Sequence, residues 1–197
     1  ILFTVEFFIR KKVDKKMIKT YPISRFKADS RKDDHILCYE GRYSAGTYKT
    51  WKDFLVDTAK MRKFLASENS WNWILHCEDY WYFLVTFIAL LQSGKTVYLT
   101  QNIAESFISE IKTAGTEFLT DQKKDGAVIP GSAFIPEIIE GSAYPSEAEI
   151  RTAPGINCED SNIFMYTSGS TGTPQAVPQR MKEFEEDNAF IISQWGQ

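Results

Sequence analysis

A short stretch of the sequence combines glycines with hydroxyl side chains in a pattern that suits an anionic ligand. It reads Thr167-Ser-Gly-Ser-Thr-Gly-Thr173. Glycines let the backbone turn and bring its N–H groups close to anionic oxygen, and Ser and Thr hydroxyls add further donors. The stretch therefore predicts a loop that binds phosphate groups. The alternative is an ordinary turn rich in Ser and Thr.

The elements on either side of this loop should position it. The apolar segment 163–166 predicts a strand that leads directly into the loop. Doubly wound sheets hold their ligands at the carboxyl ends of strands, so the loop has the expected location for a binding site. Pro174 restricts the backbone at the loop exit. After the loop we expect a helix over residues 181–195, acidic on one side.

The most regular pattern lies upstream, where apolar strands alternate with helices. Asp79 is placed to cap one helix, and Gly94 is the residue type that ends a helix in the left-handed conformation. Short connections between alternating strands and helices indicate parallel strands joined by right-handed crossovers. The sequence therefore predicts an α/β fold with a doubly wound, mostly parallel sheet and flanking helices. The expected order is strand 71–77, helix 80–92, strand 96–100, helix 104–113 and strand 117–121.

The first 50 residues carry weaker signals. Residues 1–34 are charged and irregular, and we assign them no element; a strand over 35–39 and a Gly-containing turn over 41–46 follow. Thr50 and Asp53 have the spacing of a capping box at the start of a helix. Apolar residues then recur at helical spacing. These residues are Phe54, Leu55, Thr58, Met61 and Leu65.

The pattern weakens between residues 122 and 160. Gly, Pro and Ser interrupt this region, as is typical of turns and loops. We expect it to contain a short antiparallel excursion around residues 127–129 and 137–139. We divide the chain into an irregular N-terminal segment, 1–34, and a domain, 35–197.

Ser93-Gly-Lys-Thr96 ends like a Walker A loop but lacks that motif's surroundings. The first glycine of the motif would fall at Ala89, in the middle of a predicted helix. A Walker A loop also follows a strand and precedes a helix, whereas this segment follows a helix and precedes a strand. We therefore interpret Gly94 as a helix terminator only.

Composition argues against several classes of partner. The formal net charge is −3, so no nucleic-acid partner is expected. The longest nearly uninterrupted apolar run, residues 80–91, is too short to span a membrane.

Cys38, Cys77 and Cys158 are odd in number and far apart, which favours reduced thiols in a cytoplasmic protein. His76-Cys77-Glu78 lies at the end of a predicted strand, and we expect no metal site there.

The loop and its flanking residues carry a family resemblance. Tyr166-Thr-Ser-Gly-Ser-Thr-Gly-Thr-Pro174 closely resembles, over nine consecutive positions, the signature loop of the adenylate-forming superfamily. That superfamily includes the acyl-CoA synthetases, aryl-CoA ligases, luciferases and adenylation domains of peptide synthetases. The alternating elements over residues 73–100 also look like its N-terminal subdomain. By this resemblance, residues 35–197 are the N-terminal subdomain of an AMP-binding domain.

The resemblance implies a reaction in two halves. A carboxylic acid attacks the α-phosphate of ATP, which gives an acyl-adenylate and pyrophosphate. A thiol, of CoA or of the phosphopantetheine on an acyl carrier protein, then accepts the acyl group. The loop is implied to wrap the β- and γ-phosphates and, with Mg²⁺, to stabilise the charge on departing pyrophosphate. No catalytic residue is expected within this chain. The implied nucleotide-contacting residues are Thr167, Ser168, Gly169, Ser170, Thr171, Gly172 and Gln175.

Two residues after the loop depart from the superfamily pattern. The superfamily usually has Lys directly after the loop's proline, where this sequence has Gln175, and Ala176 stands in place of the following glycine. Gln donates a neutral hydrogen bond and supplies no cation, so a charge-assisted contact is lost. We expect that Arg180, five residues after Gln175, could supply the missing cation.

Length is the second departure from the superfamily. Its members are more than twice as long as these 197 residues. The resemblance therefore implies an N-terminal piece without the C-terminal lid domain, inactive in isolation. The alternative is a non-catalytic truncated or degenerate homologue that acts as a nucleotide- or protein-binding module. Fatty, aryl and amino acids all stay open as substrates.

Overall fold

A computed structural model describes residues 27–39, 47–159, 163–167 and 174–195. Within these residues lie ten strands and six helices. The strands are β1 (Ile36–Tyr39), β2 (Tyr48–Thr50), β3 (Asn72–His76), β4 (Thr96–Leu99), β5 (Thr116–Thr120), β6 (Lys123–Lys124), β7 (Ala127–Val128), β8 (Ser132–Phe134), β9 (Ile163–Thr167) and β10 (Gln175–Gln179). The helices are α1 (Trp51–Ser67), α2 (Tyr80–Gln92), α3 (Glu105–Ile111), α4 (Ile135–Gly141), α5 (Glu147–Arg151) and α6 (Met181–Trp195).

Six of these strands form one sheet in the order β10-β9-β4-β3-β5-β8. The central strand β3 pairs in parallel with β4 on one side and with β5 on the other. β9 extends the sheet beside β4, and β8 extends it beside β5, again in parallel. Only β10, which pairs with β9, is antiparallel among the described strands of this sheet. This arrangement confirms the predicted α/β fold with a doubly wound, mostly parallel sheet.

One face of the sheet carries the main core. Alternate residues of the strands, among them Trp73, Leu75, Val97 and Leu119, are buried there together with side chains of α1, α2 and α4. α2 packs against both the sheet and α1, so most of its circumference is apolar. The apolar stripe predicted for α1 lies entirely in this core. Its members Phe54, Leu55, Thr58, Met61 and Leu65 are at most 2% exposed.

The opposite face has a smaller core of Ile74, Phe118 and Ile111, the last from the short helix α3. Next to it, aromatic rings stack across neighbouring strands. The rings of Tyr98 on β4 and Phe164 on β9 are stacked with centroids 5.0 Å apart, as expected for directly paired residues. The ring of Tyr166 lies 6.0 Å from that of Tyr98. These stacks join β9, the strand before the predicted phosphate loop, to β4.

The helix boundaries follow the local signals in the sequence. Thr50 and Asp53 form the predicted capping box at the start of α1. The side chain of Asp79 accepts the N–H groups of Trp81 and Tyr82 and caps α2. Gly94 follows α2 with φ +65°, the left-handed conformation that glycine adopts readily. These three predictions are confirmed.

The region after β5 differs from the prediction. Residues 127–129 do contribute to an antiparallel pair, but their partner is β6, not residues 137–139. Residues 137–139 belong to α4, which has Pro136 in its first turn and buries Ile135 and Ile139 four residues apart. Such a spacing places two residues on one face of a helix. The predicted strand over 137–139 is therefore wrong.

Further elements escaped prediction, among them β2, β6, β8, α5 and β10. β8 pairs with β5 at the edge of the sheet, and α5 begins at a capping box formed by Ser146 and Glu149. β10 occupies residues between the loop and the last helix, to which the sequence pattern assigns no element. That last helix, α6, begins at Met181 as predicted.

The described end of the N-terminal segment lies against α1. The indole Nε1–H of Trp51 donates to the carbonyl of Ala28 at 2.8 Å, and Ala28 itself is buried. The guanidinium of Arg151 on α5 binds the carboxylate of Asp33 at 2.6 Å. Residues 27–34 form turns without a helix or strand, and the proposed boundary at residue 35 stays a prediction. The predicted turn over 41–46 lies outside the described residues.

Candidate functional site

The predicted phosphate loop joins the two strands of a hairpin. β9 ends at Thr167, β10 begins at Gln175, and these two residues are directly paired. The loop residues Ser168, Gly169, Ser170, Thr171 and Gly172 lie outside the described part of the chain. The structure therefore fixes where the loop leaves the sheet and where it returns, and both points are adjacent. The nucleotide contacts that the resemblance implies for these residues stay predictions.

The hairpin stem lies at the edge of the sheet where ligands are expected. β9, β4, β3, β5 and β8 are parallel, so their carboxyl ends share one edge, and the loop begins there. β10 is the last described strand on its side, and Gln175, Ala176, Val177 and Pro178 are all exposed. Pro178 has no N–H group, a feature that edge strands tolerate and that hinders pairing with a further strand.

The hairpin carries no formal charge. From Ile163 to Gln179 the sequence contains no Asp, Glu, Lys or Arg. Arg180 follows immediately, but it lies beyond the end of β10 that is remote from the loop. Its guanidinium donates to the carboxylate of Glu183 at 3.0 and 3.1 Å. Our expectation that Arg180 could replace the missing cation beside Gln175 is therefore wrong.

The carboxyl end of β4, next to β9, is held by polar contacts. The hydroxyl of Thr100 donates to the carbonyl of Asn102 at 3.1 Å and accepts its N–H at 3.0 Å. His76, at the end of β3, donates its Nδ1–H to the carbonyl of Thr100 at 3.0 Å, since a carbonyl can only accept. The other ring nitrogen of His76 is buried and has no hydrogen-bond partner among the described residues.

The crossover connections of the sheet change direction between β3 and β5. A side chain occupies the space at the carboxyl ends of these two strands. The carboxylate of Asp121, directly after β5, accepts the backbone N–H of Asp79 at 2.7 Å and that of Glu78 at 3.1 Å. Gln122 donates its side-chain amide to the same carboxylate at 2.9 Å. Many doubly wound proteins hold a ligand at this point. Here the chain's own carboxylate takes up the N–H groups that a ligand would use.

Sequence reasoning missed Asp121. The available signal was an acidic residue directly after a predicted strand, which is common at sites on the carboxyl edge. The prediction that no metal site lies at His76-Cys77-Glu78 was based on sequence. Among the described residues, no group of three or more His, Cys, Asp or Glu side chains could hold a metal ion. Burial strongly raises the pKa of the Cys77 thiol, and the nearby carboxylates of Asp121 and Asp79 raise it further, so the thiolate is disfavoured.

The Walker-like segment lies at the opposite edge of the sheet. Lys95 precedes β4, so it lies at the amino end of that strand. Its Nζ donates to the carbonyl of Ser70 at 2.8 Å and lies 4.9 Å from the centroid of the Trp71 ring. Gly94 ends α2, as described above. The prediction that Gly94 ends this helix is confirmed, and Lys95 makes contacts at the amino edge of the sheet.

Among the helices of the described chain, none combines the length and apolar character needed to cross a bilayer. The longest, α1 with 17 residues, carries charged side chains along its exposed side.

Solved structures share this fold at low sequence identity. The N-terminal subdomain of NpsA from Klebsiella oxytoca, in complex with 3-hydroxybenzoyl-AMSN, matches 76% of this chain with a TM-score of 0.53 and 19% identity. The o-succinylbenzoate CoA synthetase MenE from Bacillus subtilis, in complex with the acyl-adenylate intermediate OSB-AMP, matches 86% with a TM-score of 0.62 and 17% identity. McyG A-PCP, complexed with phenylalanyl-adenylate, matches 82% with a TM-score of 0.60 and 14% identity.

These matches cover only part of each solved chain. The match spans 38% of the NpsA chain, 45% of the MenE chain and 28% of the McyG chain. The protein thus has the fold of the N-terminal part of adenylate-forming enzymes, as the resemblance of the loop predicted. No protein-family model matches the sequence, and no curated protein does.

Proposed function

We propose that this chain is the N-terminal part of an AMP-forming ligase that activates a carboxylic acid with ATP. The single observation that carries the proposal is the position of the Gly-, Ser- and Thr-rich loop. It starts at the carboxyl end of β9, in a sheet with the fold of enzymes solved with acyl-adenylates or their analogues. A resemblance in sequence and a resemblance in fold thus coincide at one location.

In the proposed site, the loop residues 167–172 bind the β- and γ-phosphates of ATP. Their hydroxyl and backbone N–H groups donate hydrogen bonds, and these contacts strengthen as negative charge accumulates on departing pyrophosphate. ATP would be bound as its Mg²⁺ complex, in which the metal would offset part of that charge. Gln175, paired with Thr167 where the chain re-enters the sheet, adds a neutral donor. The chain's own role is electrostatic stabilisation and positioning, with no proton transfer.

The remaining steps belong to the whole protein. An acyl-adenylate forms when the carboxylate attacks the α-phosphate, and a thiol then accepts the acyl group. The thiol is that of CoA or of phosphopantetheine on a carrier protein. We place the protein in the cytoplasm, where both thiols occur reduced. The relatives were solved with o-succinylbenzoyl, aryl and aminoacyl adenylates or analogues, so aryl and amino acids are the first substrates to test.

The test is ATP–pyrophosphate exchange with the complete protein that the gene encodes. A panel of aryl, amino and fatty acids is supplied one at a time with Mg²⁺. We expect exchange that depends on one class of acid and falls at least about a hundredfold in a Ser170→Ala, Thr171→Ala double variant, because such donors act mainly in the transition state. Ser67→Ala is the control, because it removes an exposed hydroxyl that is remote from the loop. Ser67 ends α1 and lies before the amino end of β3. This variant should have the exchange activity of wild type.

A second candidate function follows from the uncharged hairpin. With Gln175 in place of a cation and Arg180 bound to Glu183, the site lacks a charge-assisted contact at this end of the loop. The protein would then be a non-catalytic nucleotide-binding module. Binding of MgATP by calorimetry, without exchange for any acid of the panel, would favour this candidate over the ligase.

A further inference from the structure

We propose that an apolar helix from outside these 197 residues covers one face of the sheet in the complete protein. The inference rests on the proposed function, because the helix would belong to the remainder of the ligase. The face is the part of the sheet that β4, β9 and β10 form on the side opposite the main core. We call it the aromatic face, and its residues are Tyr98, Phe164, Tyr166, Ala176 and Pro178.

Strand pairing places these five residues on one continuous surface. Residues directly opposite each other in paired strands lie on the same face of a sheet. Phe164 is paired with Tyr98 on one side and with Pro178 on the other. Tyr166, two residues further along β9, is paired with Ala176. The surface of stacked aromatic rings therefore continues onto the exposed edge strand β10.

The described helices leave most of the aromatic face uncovered. α1, α2, α4, α5 and α6 all contribute buried residues to the main core on the other face. Within the described chain this leaves α3, whose Phe107 ring has its centroid 5.7 Å from that of Tyr166. α3 has seven residues, so it is about 10 Å long. Six strands spaced about 4.8 Å apart span about 24 Å, which is more than such a helix can cover.

The exposure and the charge of the aromatic face indicate what kind of partner it suits. Ala176 and Pro178 are exposed, and the three aromatic side chains are only partly buried. Sheets of parallel strands are almost always covered on both faces, usually by helices. From Ile163 to Gln179 the sequence contains no charged residue, so a charged partner would lose water without gaining an ion pair. The aromatic face therefore suits the apolar side of a helix.

The compared structures indicate a source for that helix. The match to this chain spans 38% of the solved NpsA N-terminal subdomain and 45% of the MenE chain. More than half of each of these chains thus lies outside the shared part. A helix that belongs to the same polypeptide also avoids the loss of translational and rotational freedom that association requires. We therefore assign the aromatic face to an intramolecular partner and not to a second copy of the chain.

The experiment measures maleimide labelling of Pro178→Cys in the complete protein, without nucleotide. Mass spectrometry of the peptide that contains position 178 separates this thiol from the three native cysteines. We expect labelling at least about a hundredfold slower in the folded protein than in urea, because a covered thiol reacts only after local opening. Ser67→Cys is the control, because Ser67 is exposed at the end of α1. It should be labelled within about tenfold of its rate in urea.

A second pair of variants tests the apolar character of the partner. Ala176→Glu and Ala176→Gln introduce side chains of nearly equal size that differ in charge. Under an apolar helix the carboxylate loses its water and gains no partner, so Ala176→Glu should unfold at a lower urea concentration than Ala176→Gln. On an uncovered face the two urea midpoints should be equal, and that result would contradict the inference.

The outcomes separate this inference from the proposed function. If Pro178→Cys is labelled as fast as Ser67→Cys while wild type catalyses ATP–pyrophosphate exchange, the inference is overturned and the proposed function stands. Protection of Pro178→Cys that disappears on dilution would assign the aromatic face to a second copy, which also overturns the inference. If wild type neither exchanges nor binds MgATP, the proposed function falls, and this inference falls with it.

Discussion

The carboxylate of Asp121 accepts the backbone N–H of Asp79 at 2.7 Å, while the side chain of Asp79 caps α2. Two acidic residues from different strand ends thus determine how β3 passes into α2. The carboxylate of Asp121 also accepts the N–H of Glu78, so it links this connection to β5. At the same time it fills the position between β3 and β5 where related sheets bind ligands. The site that we propose lies instead at the end of β9.

The first prediction concerns this link. Asp121→Ala should lower the free energy of unfolding by roughly 1–3 kcal/mol, because two backbone N–H groups lose a charged acceptor. The measurement is urea denaturation followed by circular dichroism, with the slope of the transition used to check two-state behaviour. Asp121→Asn retains one oxygen acceptor and should lose less than Asp121→Ala. An alanine variant with the wild-type midpoint would show that water replaces the carboxylate without loss.

The second prediction concerns the pH dependence of stability. The side chain of Asp57 on α1 is 13% exposed and accepts the indole N–H of Trp81 at 3.1 Å. Burial raises the pKa of Asp57, while the hydrogen bond from Trp81 and the charge of Lys60 partly offset this effect. A carboxyl group with a raised pKa in the folded state favours folding at low pH. That contribution is lost as the pH rises through the folded-state pKa.

Asp57→Asn should therefore become more stable relative to wild type as the pH rises from about 3 to about 7. The amide keeps an oxygen for the indole of Trp81 but does not ionise. The measurement is the difference in unfolding free energy between the two proteins at each pH, which cancels the titration of the other groups. Asp57→Ala is the control, and it should be destabilised at every pH because the indole N–H loses its acceptor. A difference between wild type and Asp57→Asn that does not vary with pH would contradict the prediction.

The third prediction separates backbone conformation from packing at Gly94. A side chain there would meet no atom within 4 Å, but φ is +65°, which disfavours residues with a Cβ. Gly94→Ala should therefore destabilise the protein by about 1 kcal/mol, measured by thermal or urea denaturation. Gly141→Ala is the matched control, since that site is equally open and its φ is not in the left-handed region. It should be neutral or slightly stabilising.

The same Gly94 variant tests the rejected Walker-like motif. Lys95 binds the carbonyl of Ser70 at the amino edge of the sheet, far from the loop. Exchange activity measured well below the melting temperature should therefore equal that of wild type. If the folded Gly94→Ala variant lost nucleotide binding, this result would contradict our proposal, which places the phosphates at the carboxyl edge of the sheet.

Local sequence signals were enough to predict the central part of the fold. The remaining elements depend on which strands and helices lie next to them. Thr50, Asp79 and Gly94 act on the backbone within a few residues, so their effects could be predicted from the sequence alone. β10 contains Pro178 and only one β-branched residue, and it becomes a strand because β9 lies beside it. Residues 137–139 have the composition of a strand but form a helix, whose buried face depends on the position of α1.

The candidate site likewise has features that the sequence predicts and features that it does not. The loop and its position after β9 could be predicted, because glycines and hydroxyl residues follow an apolar strand directly. The role of Asp121 could not, because it depends on which strands are neighbours in the sheet. Strand order results from the packing of the whole domain and is not encoded near this residue. The pairing of Arg180 with Glu183 was likewise absent from the sequence argument, although a spacing of three residues favours such contacts in helices.

The last prediction concerns Gln175, which is paired with Thr167 at the base of the loop. In the complete protein, Gln175→Lys should raise kcat for adenylation and also lower the KM for ATP. A lysine ammonium can form a charge-assisted hydrogen bond to the phosphates, worth roughly 1.5–3 kcal/mol against about 1 kcal/mol for a neutral bond. The part of this gain that is equal in the ground and transition states appears in KM. Only the part that grows as pyrophosphate departs raises kcat.

Arg180 provides the internal control for this prediction. Because its guanidinium is bound to Glu183 beyond the far end of β10, Arg180→Ala should leave both kinetic constants unchanged. The double variant with Gln175→Lys should then match Gln175→Lys alone, since the two positions do not share a ligand. If Gln175→Lys changes neither constant, with or without Arg180, then position 175 does not face the phosphates. In that case the loop resemblance would end at Pro174.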